Sequence, residues 1–254
     1  MDFTIKQYTQ LLKSLQSAGF FFQTFTEFLQ NPKEKTVILR HDVDRLPKNS
    51  LLLATIENDF GIKASYYFRA VPESLDEIII KEISALGHEI GYHYENLTTC
   101  SGNIELAIKD FKLNLEKFRK LVPISTICMH GSPMSKYDSK DLWKHYSYKD
   151  FGIIGEPYFD VDFSSVFYLT DTGRKWNNQT SSVRDNVSSG FNLKIENTKQ
   201  IIYLAENNQL PDKIMTNIHP HRWFELGFNW YKELILQNIK NIVKYILIKY
   251  RNCE

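Results

Sequence analysis

The stretch TVILRHDVDR, Thr36–Arg45, decides how the chain is read. Val37, Ile38 and Leu39 are a β-branched and aliphatic run of the kind that a strand buried on both faces requires. The run passes directly into Arg40, His41, Asp42 and Asp44, which an apolar core does not accept without partners. Side chains alternate along a strand, so Arg40, Asp42 and Asp44 share one face and His41 takes the other. An apolar strand ending in paired acids suits the carboxyl-end mouth of a parallel sheet or barrel, where such folds carry their chemistry. The alternative is a charged, solvated loop following a strand.

Outward from this stretch, strands and helices alternate. Tyr8, Leu11, Leu12 and Leu15 mark an amphipathic helix that stops at Gly19. Phe20–Leu29 reads as a short helix or lid, Pro47–Phe60 as a helix with proline near its start, and Ala64–Phe68 as a strand. Ser74–Leu86 reads as a helix capped by Ser74 with Glu77, and Glu89–Tyr94 as a strand. A helix over Ile104–Leu121 and strands at Thr126–Met129, Phe151–Ile154 and Val166–Leu169 follow. Lys194–Asn207 is then helical and Lys213–Ile218 the last strand, with a polar, aperiodic loop over Thr170–Gly190. The pattern predicts one α/β domain over residues 1–254, a parallel sheet or closed barrel with outer helices. Residues 1–35 form an N-terminal helical addition and 225–254 a C-terminal helix.

Composition narrows the function. A net charge of +1 provides no field to recruit nucleic acid. Cys100, Cys128 and Cys253 are odd in number and far apart, which argues against a disulfide framework and for a cytoplasmic protein. MDFTIKQYTQ has no signal-peptide pattern, and no uncharged apolar run reaches membrane-spanning length. Residues 232–251 form a basic amphipathic helix, with Lys232, Lys240, Lys244, Lys249 and Arg251 among aliphatic positions. Such a helix can lie on an anionic bilayer, though packing on its own domain is the commoner arrangement.

Several strand ends carry the same kinds of residue. The first ends in Asp42 and Asp44, EIGYHY runs into His93 and Glu95, TICM into His130, and KIMTNI into His219 and His221. Five of the seven histidines, counting His41, lie at or beside strand carboxyl ends, while His88 and His145 read as structural. Asp, His and Glu delivered by four strands to one mouth form a ligand set for a divalent ion, most plausibly zinc. Tyr92, Tyr94 and Trp223 flank these segments and are candidates to stack on a sugar, with core packing the alternative.

RHDVD, GHEIGYH, HGSP and IHPHRW, in this order between Thr36 and Trp223, resemble the motifs of the polysaccharide deacetylase family. The resemblance implies a distorted (β/α) barrel and a metal-dependent hydrolase that removes acetyl groups from N- or O-acetylated sugars, here in surface-glycan biosynthesis. It implies Asp42 as general base and Asp44 as metal ligand, the reverse assignment remaining open. It makes His93 a ligand and His219 the general acid, with His221 able to serve instead. The family's second ligand histidine falls on Leu97, which cannot bind a metal. His130, from a separate strand, is the favoured replacement, with Glu95 an acid/base residue or a partner that orients a ligand. Arg40 can hold Asp42 ionised, and a backbone N–H near Gly131 can stabilise an oxyanion. The alternatives are a hydrolase of a non-sugar C–N bond and a non-catalytic barrel that binds a glycan or sugar precursor.

Overall fold

A computed structural model describes residues 1–132, 135–176 and 187–251. Its framework is a seven-stranded sheet in which every pairing is parallel: β1 (Phe21–Gln23), β2 (Thr36–Val43), β3 (Ser65–Phe68), β4 (Glu89–Tyr94), β5 (Ile127–Met129), β6 (Phe167–Thr170) and β7 (Lys213–Ile218). The spatial order is β5-β4-β3-β2-β7-β6, and β1 lies against the first half of β2.

Burial shows that the sheet is curled. Ile38, Tyr67, Cys128 and Met215, from four different strands, pack together with Phe25 and Val161 in one small cluster. Their sequence neighbours Val37, Leu39, Tyr66, Ile127 and Ile214 belong instead to the larger core under the helices. Inner side chains from β2, β3, β5 and β7 meet only if the sheet wraps around them, so the first set lines a barrel and the second its outer wall. The barrel is open between β5 and β6. There the chain near Gly155 contributes one bridge to Thr126. Gly91 is needed inside the barrel, where a Cβ would stand 2.3 Å from the Tyr67 ring. At the amino end the carboxylate of Glu89 accepts from Thr26 and Ser65, closing the barrel floor.

The outer helices include α1 (Ile5–Ser17), α2 (Phe25–Gln30), α3 (Pro47–Asp59), α4 (Glu77–Ala85), α5 (Asn96–Thr99), α6 (Ile104–Arg119), α7 (Pro157–Asp160), α8 (Thr198–Glu206) and α9 (Phe228–Arg251). In α1, Tyr8, Leu11, Leu12 and Leu15 form the buried stripe, as their spacing predicts. No helix of the described residues is long and apolar enough to cross a membrane.

Four expectations need correction. Phe20–Leu29 holds a strand as well as a helix: β1 pairs with β2, and a reciprocal Thr24–Glu27 cap starts α2. The first 35 residues thus contribute a sheet strand. Phe151–Ile154 is no strand, because a 3-10 turn over Tyr148–Phe151 ends at Gly152 with φ 70°. Ser74 does not cap α4; Asp76 does, accepting from Ile78 and Ile79. The Ser74 hydroxyl donates instead to the Val43 carbonyl and fastens the end of β2. Lys194–Asn207 is helical only from Thr198, where Asn197 supplies the cap. Of the polar loop Thr170–Gly190, residues 177–186 lie outside the described residues.

Candidate metal centre

At the carboxyl end of β2 the inward positions are Arg40 and Asp42. Both are buried, against the expectation that this half of the stretch lies outside the core, and each is the other's partner. Arg40 donates Nε to Asp42 Oδ1 at 2.9 Å and Nη2 to Oδ2 at 2.6 Å, and Asn217 on β7 donates to Oδ2 at 3.0 Å. Burial pushes the Asp42 carboxyl up, but Arg40 and His93 outweigh it and hold it at about 2. Asp42 is therefore ionised and fixed in place.

Asp44 follows the strand end, with its N–H donating to the Asp42 carbonyl at 3.1 Å. Three imidazoles from three elements converge on its carboxylate. His93 Nε2 is 3.6 Å and His130 Nε2 3.5 Å from Oδ1, and His219 Nε2 is 3.8 Å from Oδ2. Asp44 Oδ1 is buried with no hydrogen-bond partner. Burial raises the Asp44 carboxyl, yet the surrounding His93, His130 and His219 hold it well below the usual carboxylate range.

In each imidazole Nδ1 is occupied by an acceptor. His93 Nδ1 donates to the Cys128 carbonyl at 2.9 Å, His130 Nδ1 to Glu95 Oε2 at 2.8 Å, and His219 Nδ1 to Asp171 Oδ1 at 2.6 Å. With the ring proton on Nδ1, the lone pair of the neutral imidazole sits on Nε2, which faces Asp44. The supports are themselves held. Arg69 donates Nε to Glu95 at 2.8 Å and Nη1 to the Asp44 carbonyl at 3.2 Å. Asp171 Oδ2 accepts from the Trp223 indole at 2.8 Å. Burial raises the Glu95 carboxyl, and His130 with Arg69 brings it down to about 2. Metal-binding histidines are oriented in this way, each by an acceptor on the ring nitrogen away from the ion.

The donor set fits a small divalent ion. Ligands of a tetrahedral zinc at 2.0–2.1 Å stand about 3.4 Å apart. The separations of 3.5 and 3.6 Å are close to that spacing and too long for good hydrogen bonds. Asp44, His93 and His130 offer ligand atoms within 4.8 Å of one another, as do Asp42, His93 and Cys128. In the second set the Asp42 oxygens are already taken by Arg40 and Asn217. The first set has the orphaned oxygen.

The remaining sequence candidates fall elsewhere. Glu95 orients His130. His221 is buried 5.8 Å, centroid to centroid, from the His219 ring, and burial with Arg222 pushes its pKa well below the usual value. Leu97 sits in α5 as part of the outer core. Tyr92, Tyr94 and Trp223 are not stacking surfaces. Tyr92 packs between Phe111 and Phe118, Tyr94 against Phe111 and Trp143, and Trp223 against Phe3 and Tyr8, all fully buried. In the HGSP motif Pro133 lies outside the described residues. His88 is structural, accepting from Ala64 N and reaching the Ala54 carbonyl. The sequence reading does not reach Asp171 or Arg69, although Asp171 follows β6 as Asp44 follows β2.

No family model matches the chain, and no curated protein aligns with it. Among solved structures it is similar to a family 4 carbohydrate esterase of Streptococcus mutans, at 12% identity and a TM-score of 0.46, covering 94% of this chain and 91% of that one. A family 4 carbohydrate esterase of Bacillus anthracis gives 14% and 0.44 over 96% and 91% of the two chains. A mutant of a family 4 pseudoenzyme with restored enzymatic activity gives 13% and 0.43, covering 84% of this chain and 65% of that one. Residue roles in this chain rest on its own geometry.

Proposed function

We propose that the protein is a metal-dependent hydrolase that removes an acetyl group from an N- or O-acetylated sugar, in the synthesis of a surface glycan. The observation that carries this reading is the buried, unpartnered Oδ1 of Asp44 with two imidazole Nε2 atoms at 3.5 and 3.6 Å. Asp44, His93 and His130 would hold the ion, and their nitrogen-rich set favours zinc. Bound there, the ion would acidify a water molecule and polarise the acetyl carbonyl.

Asp42 takes the proton of the attacking water. Arg40 and Asn217 aim it and keep it ionised, so that it is a weak base suited to an acidified water rather than to a bulk one. His219 follows β7, the strand paired with β2, and its Nε2 stands 3.8 Å from Asp44 Oδ2. Asp171 accepts the His219 Nδ1 proton at 2.6 Å and so fixes the ring with Nε2 towards the mouth, where it can relay a proton. From Nε2 a proton passes to the leaving amine or alkoxide, which departs neutral.

A second reading, hydrolysis of a C–N bond in a non-sugar substrate, gains from the burial of Tyr92, Tyr94 and Trp223, which leaves those three unable to stack on a sugar ring. Acetate release by zinc-loaded protein from acetylated amino sugars, set beside acyclic N-acetyl amines, separates the two. Release from the sugars alone supports the first, and release from the amines alone replaces it with the second.

A further inference from the structure

Helix α9 is amphipathic in the reverse of the usual sense. Its inward side is largely polar. Glu233 and Gln237 are 5% and 4% exposed. Glu233 meets Arg45 at 2.7 Å, and Gln237 donates to Asn241, which donates to the Gly173 carbonyl at 2.9 Å. Trp230 completes this side, under the Arg174 guanidinium. The outward side is apolar. Phe228 is 80% exposed, Ile235 59%, Ile239 53% and Ile242 61%, and Tyr231 extends the same stripe at intervals of three and four residues. A surface helix of a water-soluble domain places these residues the other way round, as α1 does.

Charge says what covers the stripe. Among the described side chains of α9, Lys232 is exposed beside the stripe, Lys240 lies on the mouth side near Arg45, and the one acid is Glu233. That acid is turned inward onto Arg45, so the outward side presents Lys232 and, among the described residues, no carboxylate. Two copies paired along this face would set Lys232 against Lys232 with no carboxylate of the described stripe to neutralise them. An anionic bilayer answers both features, taking the apolar stripe below its headgroups and Lys232 among them.

The helix also sits at the mouth of the barrel. Arg45, which Glu233 holds, adjoins Asp44. Gly173 and Arg174, on which Asn241 and Trp230 rest, follow Asp171. We propose that α9 lies in the interface of an anionic membrane and thereby presents the metal centre to an acetylated sugar on a membrane-anchored carrier. The carrier part rests on the deacetylase reading above; the docking does not.

Co-sedimentation of the full chain with vesicles of phosphatidylcholine, with and without phosphatidylglycerol, is the test. The protein should pellet with the anionic vesicles and be released by salt. Lys232→Gln should weaken binding to them about fivefold. The triple variant Ile235→Ser, Ile239→Ser, Ile242→Ser changes only exposed positions; it should stay in the supernatant with zinc affinity unaltered. Absence of pelleting, or pelleting unchanged in both variants, overturns the proposal. So does a dimer in light scattering that the triple variant converts to monomer while neither binds vesicles. Asp44→Ala should pellet like the unaltered chain. Docking by the unaltered, zinc-loaded chain without acetate release from any acetylated sugar would refute the deacetylase reading alone.

Discussion

Two clusters of carboxylate and histidine stand back to back across β2, and they do opposite things. On the outer face, both Glu57 oxygens accept hydroxyls, from Tyr8 and Tyr66, and His41 Nε2 lies 2.8 Å from Oε1 as a charge neighbour, with all four side chains fully buried. On the inner side, three residues beyond His41, the Asp44 carboxylate is ringed by three imidazoles and touches none of them closer than 3.5 Å. The residue types are nearly the same. What differs is the carboxylate: both Glu57 oxygens accept a hydroxyl, whereas Asp44 Oδ1 has no partner and the inner imidazoles, each satisfied at Nδ1, leave their Nε2 side around it. Partner geometry, not the count of histidines and acids, separates a structural network from a candidate metal centre.

Substitutions on the two faces should therefore separate cleanly. Asp42→Asn should lower turnover by about 10²–10⁴ and leave zinc affinity as it is, since the amide can still accept from Arg40. Loss of zinc in that variant, with zinc kept in Asp44→Ala, would exchange their roles. Asp44→Ala and His93→Ala should each weaken zinc by more than about a hundredfold, beyond the range of residues that only orient ligands. Glu57→Gln should cost about 3 kcal/mol in urea unfolding without moving zinc affinity, because it strips a buried network of its charge. The Glu57 pKa lies below its usual 4.5, as its His41 partner outweighs burial. Its stabilising contribution is thus present above about pH 4.5 and fades as the pH falls through the folded value, so the gap between parent and variant should narrow in acid. The smallest effect is expected of Arg69→Met. It should free Glu95 and the Asp44 carbonyl and weaken zinc by roughly ten- to a hundredfold, while the chain unfolds at nearly the same urea concentration.

Much of this was legible in the sequence, for a physical reason. A parallel strand reads as an unbroken apolar run, and polar residues at its carboxyl end have few places to go other than the mouth. That rule located Asp42, Asp44, His93, His130 and His219. Applied once more, to the strand ending at Thr170, it reaches Asp171. Alternation also opposes Tyr92 and Tyr94 as sugar platforms: with His93 turned inward, both must face the outer helices. Other features were out of reach. Three residues of β1 are too short for a period, and their pairing with β2 is tertiary. Periodicity marks α9 as amphipathic but does not say which face turns inward; Arg45 and Gly173, distant in sequence, decide that. The distance of 3.5 Å between His130 and Asp44 depends on the curl of the sheet, which brings the ends of β2, β4 and β5 together.

Isothermal titration of zinc into the metal-free chain, His130→Ala and Glu57→Gln tests the centre most directly. The expected result is one ion per chain, bound more than about a hundredfold more weakly in His130→Ala and unchanged in Glu57→Gln. No binding by the parent chain, or a loss of about tenfold or less in His130→Ala, would contradict a centre built from Asp44, His93 and His130.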